Sequence, residues 1–268
     1  MAQVTASLVK ELRDRTGLGM MECKRALKES GADIDKAIEE LRKSSGMKAA
    51  KKAGRTAADG LVSVKTENGY GMVLEVNSET DFAARDEGFK GFVSTVLDAA
   101  FATKQTDIAE LLAGDLGSAR EALVQKIGEN ISPRRAAGIE AAVVSGYVHS
   151  NNRIAVVVGL TGGDEALAKD VAMHVAAINP RYLDKSQISE EVIAHEKQVL
   201  TNEALNEGKP ANIVEKMVIG RLNKYLKEIC LVNQPFVKNP DLTVEKFVKD
   251  NGGAIKSFLR LEVGEGIE

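Results

Sequence analysis

The residues most suggestive of chemistry lie in one short run, Asn77-Ser78-Glu79-Thr80-Asp81-Phe82-Ala83-Ala84-Arg85-Asp86. A strand-like apolar stretch ends at Val76 and a helical pattern follows through Phe89 and Phe92, so the run is a connection at the end of a sheet. Thr80 suits the cap of a short helical turn, and Asp81 suits the positive end of such a turn. Phe82 is the anomaly, a large apolar ring in a short polar connection. It either folds back onto its own core or stands outward beside a carboxylate as a wedge for a partner. A second run, Thr16-Gly17-Leu18-Gly19-Met20-Met21, places two methionines in a glycine-rich turn. Methionine is soft and suits partner surfaces; alternatively Met20 and Met21 start the next helix and pack inward.

Motifs for catalysis are absent. The chain has no G-x-x-x-x-G-K-[ST] phosphate loop and no G-x-G-x-x-G between strand and helix. Gly159-Leu160-Thr161-Gly162-Gly163 lacks the Lys-Ser/Thr continuation and reads as a turn. No H-E-x-x-H, G-x-S-x-G or Cys/His pairing occurs. His195-Glu196 has no second histidine, and His174 falls on the apolar side of a helix, as a satisfied core residue would. Cys23 and Cys230 are too far apart in sequence to indicate a metal cluster or a disulfide framework. The expectation is therefore no catalytic residue, no cofactor and no metal; no residues nominate a hidden hydrolytic site.

With 268 residues, 44% hydrophobic and 28% charged, the chain has the balance of a globular protein of one large or two to three small domains. No stretch approaches the length of a membrane span, and the charged N-terminus lacks a signal-peptide core, so a reduced, cytoplasmic location is expected. Charge is uneven: residues 1–55 carry 13 Lys+Arg and 8 Asp+Glu, a net of +5, and the remainder a net of −8. Lys43, Lys48, Lys51, Lys52 and Arg55 concentrate the excess, the last four of them in the run 48–55. This run is either a solvated helical connector or, in the alternative reading, an RNA-binding module; no aromatic stacking residues accompany it.

Three short helices are expected first. Thr5 caps one ended by Gly17, a second runs from Glu22 to Glu29 with Gly31 as its stop, and Asp33 caps a third that ends before Gly46. Two strands then flank Asn68-Gly69, followed by a helix burying Phe89, Phe92, Val93, Val96 and Leu97. Ile108 to Gly128 reads as helical. The same ββα order returns with strands at Val143–His149 and Ile154–Leu160, a turn at Asn151-Asn152, and a helix through Leu167, Val171 and Val175. Gly60 and Gly146 precede the first strand of each unit. Ser189 to Leu226 reads as a helical hairpin broken at Gly208-Lys209-Pro210, inserted before strand-like segments at Phe236-Val237 and Ser257–Val263. The fold class is α+β.

Several separated segments, taken in order, resemble elongation factor Ts, the guanine-nucleotide exchange factor for elongation factor Tu. They are Leu8-Val9-Lys10-Glu11-Leu12-Arg13, Thr16-Gly17-Leu18-Gly19-Met20-Met21-Glu22-Cys23-Lys24, Lys51-Lys52-Ala53-Gly54, Ala58-Asp59-Gly60, Thr80-Asp81-Phe82, Ile127-Gly128-Glu129-Asn130-Ile131, His174-Val175-Ala176-Ala177, Gln234-Pro235-Phe236-Val237 and Val263-Gly264-Glu265-Gly266-Ile267. The resemblance spans essentially the whole chain. It implies a ubiquitin-associated-like three-helix domain with its linker (1–55), two related antiparallel-sheet subdomains with helices (56–141, and 142–182 with 229–268), and an inserted antiparallel hairpin for dimerisation (183–228). It implies a non-enzymatic role in translation: binding elongation factor Tu, GDP-bound and nucleotide-free, disturbing its magnesium site and promoting GDP release. Thr80, Asp81, Phe82 and Ala83 would carry the disturbance, with Leu12, Met20, Met21, Ile127, Gly128 and His149 as further contacts. A homodimer is implied through the hairpin; neither membrane nor direct nucleic-acid binding is implied. Ala83 stands where a bulkier Val is expected, which would leave thinner support under the ring.

Overall fold

The computed structural model describes residues 3–208 and 210–267, so Lys209, within the expected hairpin break, and Glu268 lie outside the described residues. Helices Ala6–Thr16 (α1), Met20–Glu29 (α2) and Ile34–Lys52 (α3) form the N-terminal bundle. The Thr5 hydroxyl accepts the Leu8 N–H at 3.3 Å, and Gly17, at φ 69°, ends α1 by donating to the Arg13 carbonyl. Val9, Leu12, Leu18, Cys23, Leu27 and Leu41 meet at the centre of the bundle. Its boundaries differ from expectation: α2 begins at Met20 and is ended at Ser30, and α3 runs through Gly46 to Lys52. The missing Cβ of Gly46 leaves room for the Glu121 carboxylate, 3.1 Å from where that atom would stand. Ala49 is buried in the next core. The connector is thus a packed helix.

Strands Asp59–Glu67 (β1) and Tyr70–Ser78 (β2) pair antiparallel around Asn68 and Gly69, whose φ values of 50° and 76° are those of the tight hairpin turn that favours Asn-Gly. Helices Asp81–Arg85 (α4), Glu87–Thr103 (α5), Ile108–Leu111 (α6) and Asp115–Ile127 (α7) lead to a strand not expected from the sequence, Ser132–Glu140 (β3), which pairs with β2. The second sheet is built from Val143–Val148 (β4) and Ile154–Leu160 (β5). Helix Glu165–Ile178 (α8), the hairpin Glu190–Asn206 (α9) and Ala211–Ile229 (α10), the short strands Pro235–Phe236 (β6) and Asn239–Thr243 (β7) and helix Val244–Asp250 (α11) intervene before Ile255–Glu262 (β8). β8 pairs with β5, giving the orders β1-β2-β3 and β4-β5-β8. The architecture is α+β.

Side-chain alternation along each central strand explains the layering. In β2, Met72, Leu74 and Val76 face α5, while Val73 faces the second sheet; in β5, Val156, Val158 and Leu160 face α8, while Ala155 and Val157 face the first sheet. The two sheets therefore pack face to face with a helix on each outer side. Gly146 lies inside β4, and Gly60 inside β1, not ahead of them. A Cβ on Gly146 would collide with Val64, and one on Gly71 would stand 2.5 Å from Val157 Cγ1 and 2.6 Å from Val144 Cγ1. Close approach of the sheets requires glycine there.

Helices α9 and α10 hold each other through Leu200, Ala204, Val214 and Val218 and, at their base, through Ile188, Val192, Leu222 and Leu226. Val199, Leu205, Ile213 and Ile219 remain exposed. Among the described residues, no helix is long and apolar enough to cross a membrane.

Candidate functional site

Ser78 ends β2, and the connection from 79 to 86 carries α4. The Thr80 hydroxyl accepts the Ala83 N–H at 3.3 Å and caps this five-residue helix. Ala83 and Ala84 are buried against the body of the protein. At about 100° per residue, that leaves the neighbouring positions facing out. Phe82 is 78% exposed, so the ring does not fold back onto its own core. The small Ala83 lets α4 lie close to the protein beneath it. Asp81 pairs with Arg85 at 2.7 Å on the exposed side, a contact that is worth only a few tenths of a kcal/mol and is easily exchanged.

Thr80 is gripped from a second connection. Glu129, just beyond α7, accepts the Thr80 N–H at 3.0 Å with Oε2 and the Thr80 hydroxyl at 2.7 Å with Oε1. In return Glu79 Oε1 accepts the Asn130 N–H at 2.6 Å. The Asn130 amide donates to the Arg55 carbonyl at 2.9 Å, and Lys52 donates to the Gly128 carbonyl. Three chain segments (52–55, 79–80 and 128–130) are thereby knotted together under the exposed ring. Family resemblance named Ile127 and Gly128 from this turn as contacts; Glu129, Asn130 and Glu79 were given no role, because reciprocal pairing between two distant connections leaves no periodic signal.

Met20 and Met21 start α2 and are 60% and 75% exposed, so they do start a helix but do not pack inward. The bundle that carries them is fastened to α7: Glu22 pairs with Lys48 and accepts the Gln125 amide at 2.8 Å. Burial raises the pKa of Glu22, but these hydrogen bonds outweigh it and hold the carboxyl below its ordinary value. His149 is exposed at the end of β4, with Nδ1 3.1 Å from the Tyr147 hydroxyl. Its turn leans on β1 through the Val62 N–H to the Asn152 carbonyl at 3.0 Å and through the pair Arg153–Asp59. Asp59 lies opposite Ser78 in the ladder, so this turn is anchored near the strand end that leads into α4.

One expected contact residue needs correction. Leu12 is fully buried in the bundle core, since it lies on the inner face of α1 with Val9, and its side chain is not available to a partner. Ile127 is half-buried against the first core, and Gly128 beside it is exposed. The basic run is also largely engaged, Lys48 by Glu22, Lys52 by the Gly128 carbonyl and Arg55 by Glu79. His174 is fully buried: its Nδ1 accepts the Val237 N–H at 3.1 Å, so the proton sits on Nε2 and is donated to Gln234 Oε1 at 2.9 Å. Burial pushes its pKa down, and it is a core residue. Among the described residues, no three His, Cys, Asp or Glu side chains converge as a metal site would need.

A braced, exposed aromatic and two exposed methionines leave large apolar side chains open to solvent, the kind of surface that a partner can cover. The family model described as Elongation factor TS matches residues 79–265. The chain is 62% identical to Elongation factor Ts of Cellvibrio japonicus (strain Ueda107), covering the whole of this chain and 93% of that protein. It is 59% identical to Elongation factor Ts of Hahella chejuensis (strain KCTC 2396) and 50% to that of Francisella tularensis subsp. novicida (strain U112), in each case over the whole chain and 94% of the relative. The chain belongs to the elongation factor Ts family, a family of translation elongation factors.

Proposed function

We propose that the chain is a guanine-nucleotide exchange factor, not an enzyme: it binds elongation factor Tu·GDP, disturbs the magnesium and phosphate site and promotes GDP release so that GTP can rebind. The observation that carries this reading is the 78% exposure of Phe82 on a short helix held rigid by Glu129 and Thr80. In the GTPase, GDP is held by backbone amides around its phosphates and by a magnesium ion with oxygen ligands. A factor that favours the nucleotide-free shape must bind less well when nucleotide is present, because coupling between two ligands is reciprocal. Burying the Phe82 ring in the partner contributes about 1.5–3 kcal/mol. A thousandfold acceleration needs about 4 kcal/mol, so Met20, Met21, the Gly128 turn and the His149 turn must supply the rest. Asp81 would act by trading its Arg85 partner for groups around the metal.

The exposed Val199, Leu205, Ile213 and Ile219 support a role for the hairpin in pairing with a second copy. RNA binding through residues 48–55 has less support, because three of its four cations already have partners within the chain.

The test is to load elongation factor Tu with fluorescent GDP and follow release with and without this protein at two salt concentrations. Release accelerated by orders of magnitude is expected. Release at the intrinsic rate, together with RNA binding that falls steeply with salt, would replace this reading by the other.

A further inference from the structure

We propose that Glu129 is a positioning residue for exchange, setting the direction of the Phe82 ring by holding Thr80; the inference rests on the exchange reading above. The geometry is specific. A single carboxylate takes both the N–H and the hydroxyl of Thr80, at 3.0 and 2.7 Å, so the peptide and the side chain of the cap are fixed together. With its proton directed at Glu129, the Thr80 hydroxyl offers a lone pair to the Ala83 N–H, which fixes the first turn of α4. A five-residue helix is too short to hold itself, and Ala83 and Ala84 give it little side chain for packing. The orientation of the ring therefore depends on this bidentate contact more than on the local sequence. Glu129 is itself held: the next N–H in the chain, that of Asn130, bonds to Glu79 on the opposite strand of the knot, and the Asn130 side chain reaches the connector at Arg55. The same turn follows α7, whose Gln125 contacts Glu22 of the methionine-bearing bundle. The two exposed apolar spots thus share one support.

A ring that is misdirected rather than removed leaves most of the contact surface intact. The loss should accordingly fall on the maximal rate of GDP release and not on the concentration of exchange factor needed for half of it. Glu129→Ala is expected to lower the maximal rate about tenfold, the worth of one charge-assisted hydrogen bond, with the half-saturating concentration changed less than about twofold. Glu129→Gln, which keeps the shape and one acceptor, should fall between. In a Phe82→Ala background Glu129→Ala should change nothing further, because there is no ring left to direct. The chain has no tryptophan, so Phe82→Trp supplies a single reporter whose fluorescence anisotropy should drop when Glu129→Ala is added. An unchanged maximal rate in both Glu129 variants, or an undiminished tenfold loss in the Phe82→Ala background, would overturn the assignment while leaving exchange intact. If Phe82→Ala itself drives GDP release at the wild-type rate, there is no ring effect for Glu129 to direct and the assignment falls, while accelerated release by the unaltered chain still upholds the exchange reading.

Discussion

The two sheets are built alike but differ where each passes its central strand to its covering helix. In the second, β5 reaches α8 through residues 161–164, a glycine turn closed by Asp164, whose carboxylate accepts the Leu167 N–H at 2.8 Å. In the first, β2 reaches α5 through residues 79–86, closed in the same way by Asp86 on the Phe89 N–H at 3.1 Å. Both connections begin near a threonine and end on an aspartate cap. The longer one inserts α4 and its exposed phenylalanine, and only the longer one is braced by a carboxylate from elsewhere. The short turn is packed against chain instead, with the Thr161 N–H on the Ala254 carbonyl at 2.9 Å. The short form suffices to join strand to helix in the second unit; in the first, the additional residues set an exposed ring at the end of the sheet.

The largest effect should come from erasing that difference. Replacing residues 79–86 with the Thr-Gly-Gly-Asp of the second unit should leave circular dichroism and a cooperative unfolding transition in place while abolishing stimulated GDP release. Retained release would show that the insertion is not what matters. Next in size is the surface the two sheets share: Gly71→Val drives methyl groups into Val157 and Val144 and should cost about 1–3 kcal/mol or more in denaturant unfolding.

A smaller test separates how the units treat their buried polar groups. In the first unit Glu75 is fully buried, where desolvation raises its pKa, but the Gly264 N–H at 2.8 Å, the Asn77 amide at 2.9 Å and Arg135 outweigh it and lower it overall. In the second, His174 is kept neutral by burial. The unfolded chain takes up a proton on histidine first as pH falls through about 6.5, so the stability of the second unit is full above that value and declines below it. The contribution of Glu75 is present above about pH 4.3 and is lost as pH falls further, through its lowered folded value. The denaturation midpoint should thus fall between about pH 7.5 and 5.5, and less so in His174→Gln; an identical fall in both would remove His174 from the account. The smallest effect expected is a gain: Gly91 sits exposed inside α5 with open space around it, and Gly91→Ala should add about 0.5–1 kcal/mol.

Legibility in the sequence tracked periodicity. The Asn68-Gly69 hairpin, the β-branched run of β5 and the apolar stripes of α5 and α8 announce themselves, because each buries one face at a regular spacing. β3 does not: Pro133, two arginines, two alanines and Gly138 read as loop. It is a strand because it lies at a sheet edge, where proline is tolerated beside an irregularity in the ladder at Glu75 and Val76, and because Arg134 and Arg135 reach Glu75. That the helical connector past Gly46 is continuous with α3 and packed, not solvated, was hidden for a similar reason, since α7 supplies the packing that the helix's own sequence lacks. At the site, the residue types left Phe82 and the methionines open between inward and outward packing, and family resemblance favoured outward. The support from Glu79, Glu129 and Asn130 could not be read, because hydrogen-bond partners about fifty residues apart carry no local pattern.

The most direct measurement is the rate of GDP release from elongation factor Tu driven by Phe82→Ala at saturating concentration. A fall of roughly ten- to 150-fold is predicted, the worth of about 1.5–3 kcal/mol of ring burial, with an unchanged unfolding midpoint because the ring touches solvent in the free protein. Release as fast as with the unaltered chain would contradict the claim that this exposed ring is the lever.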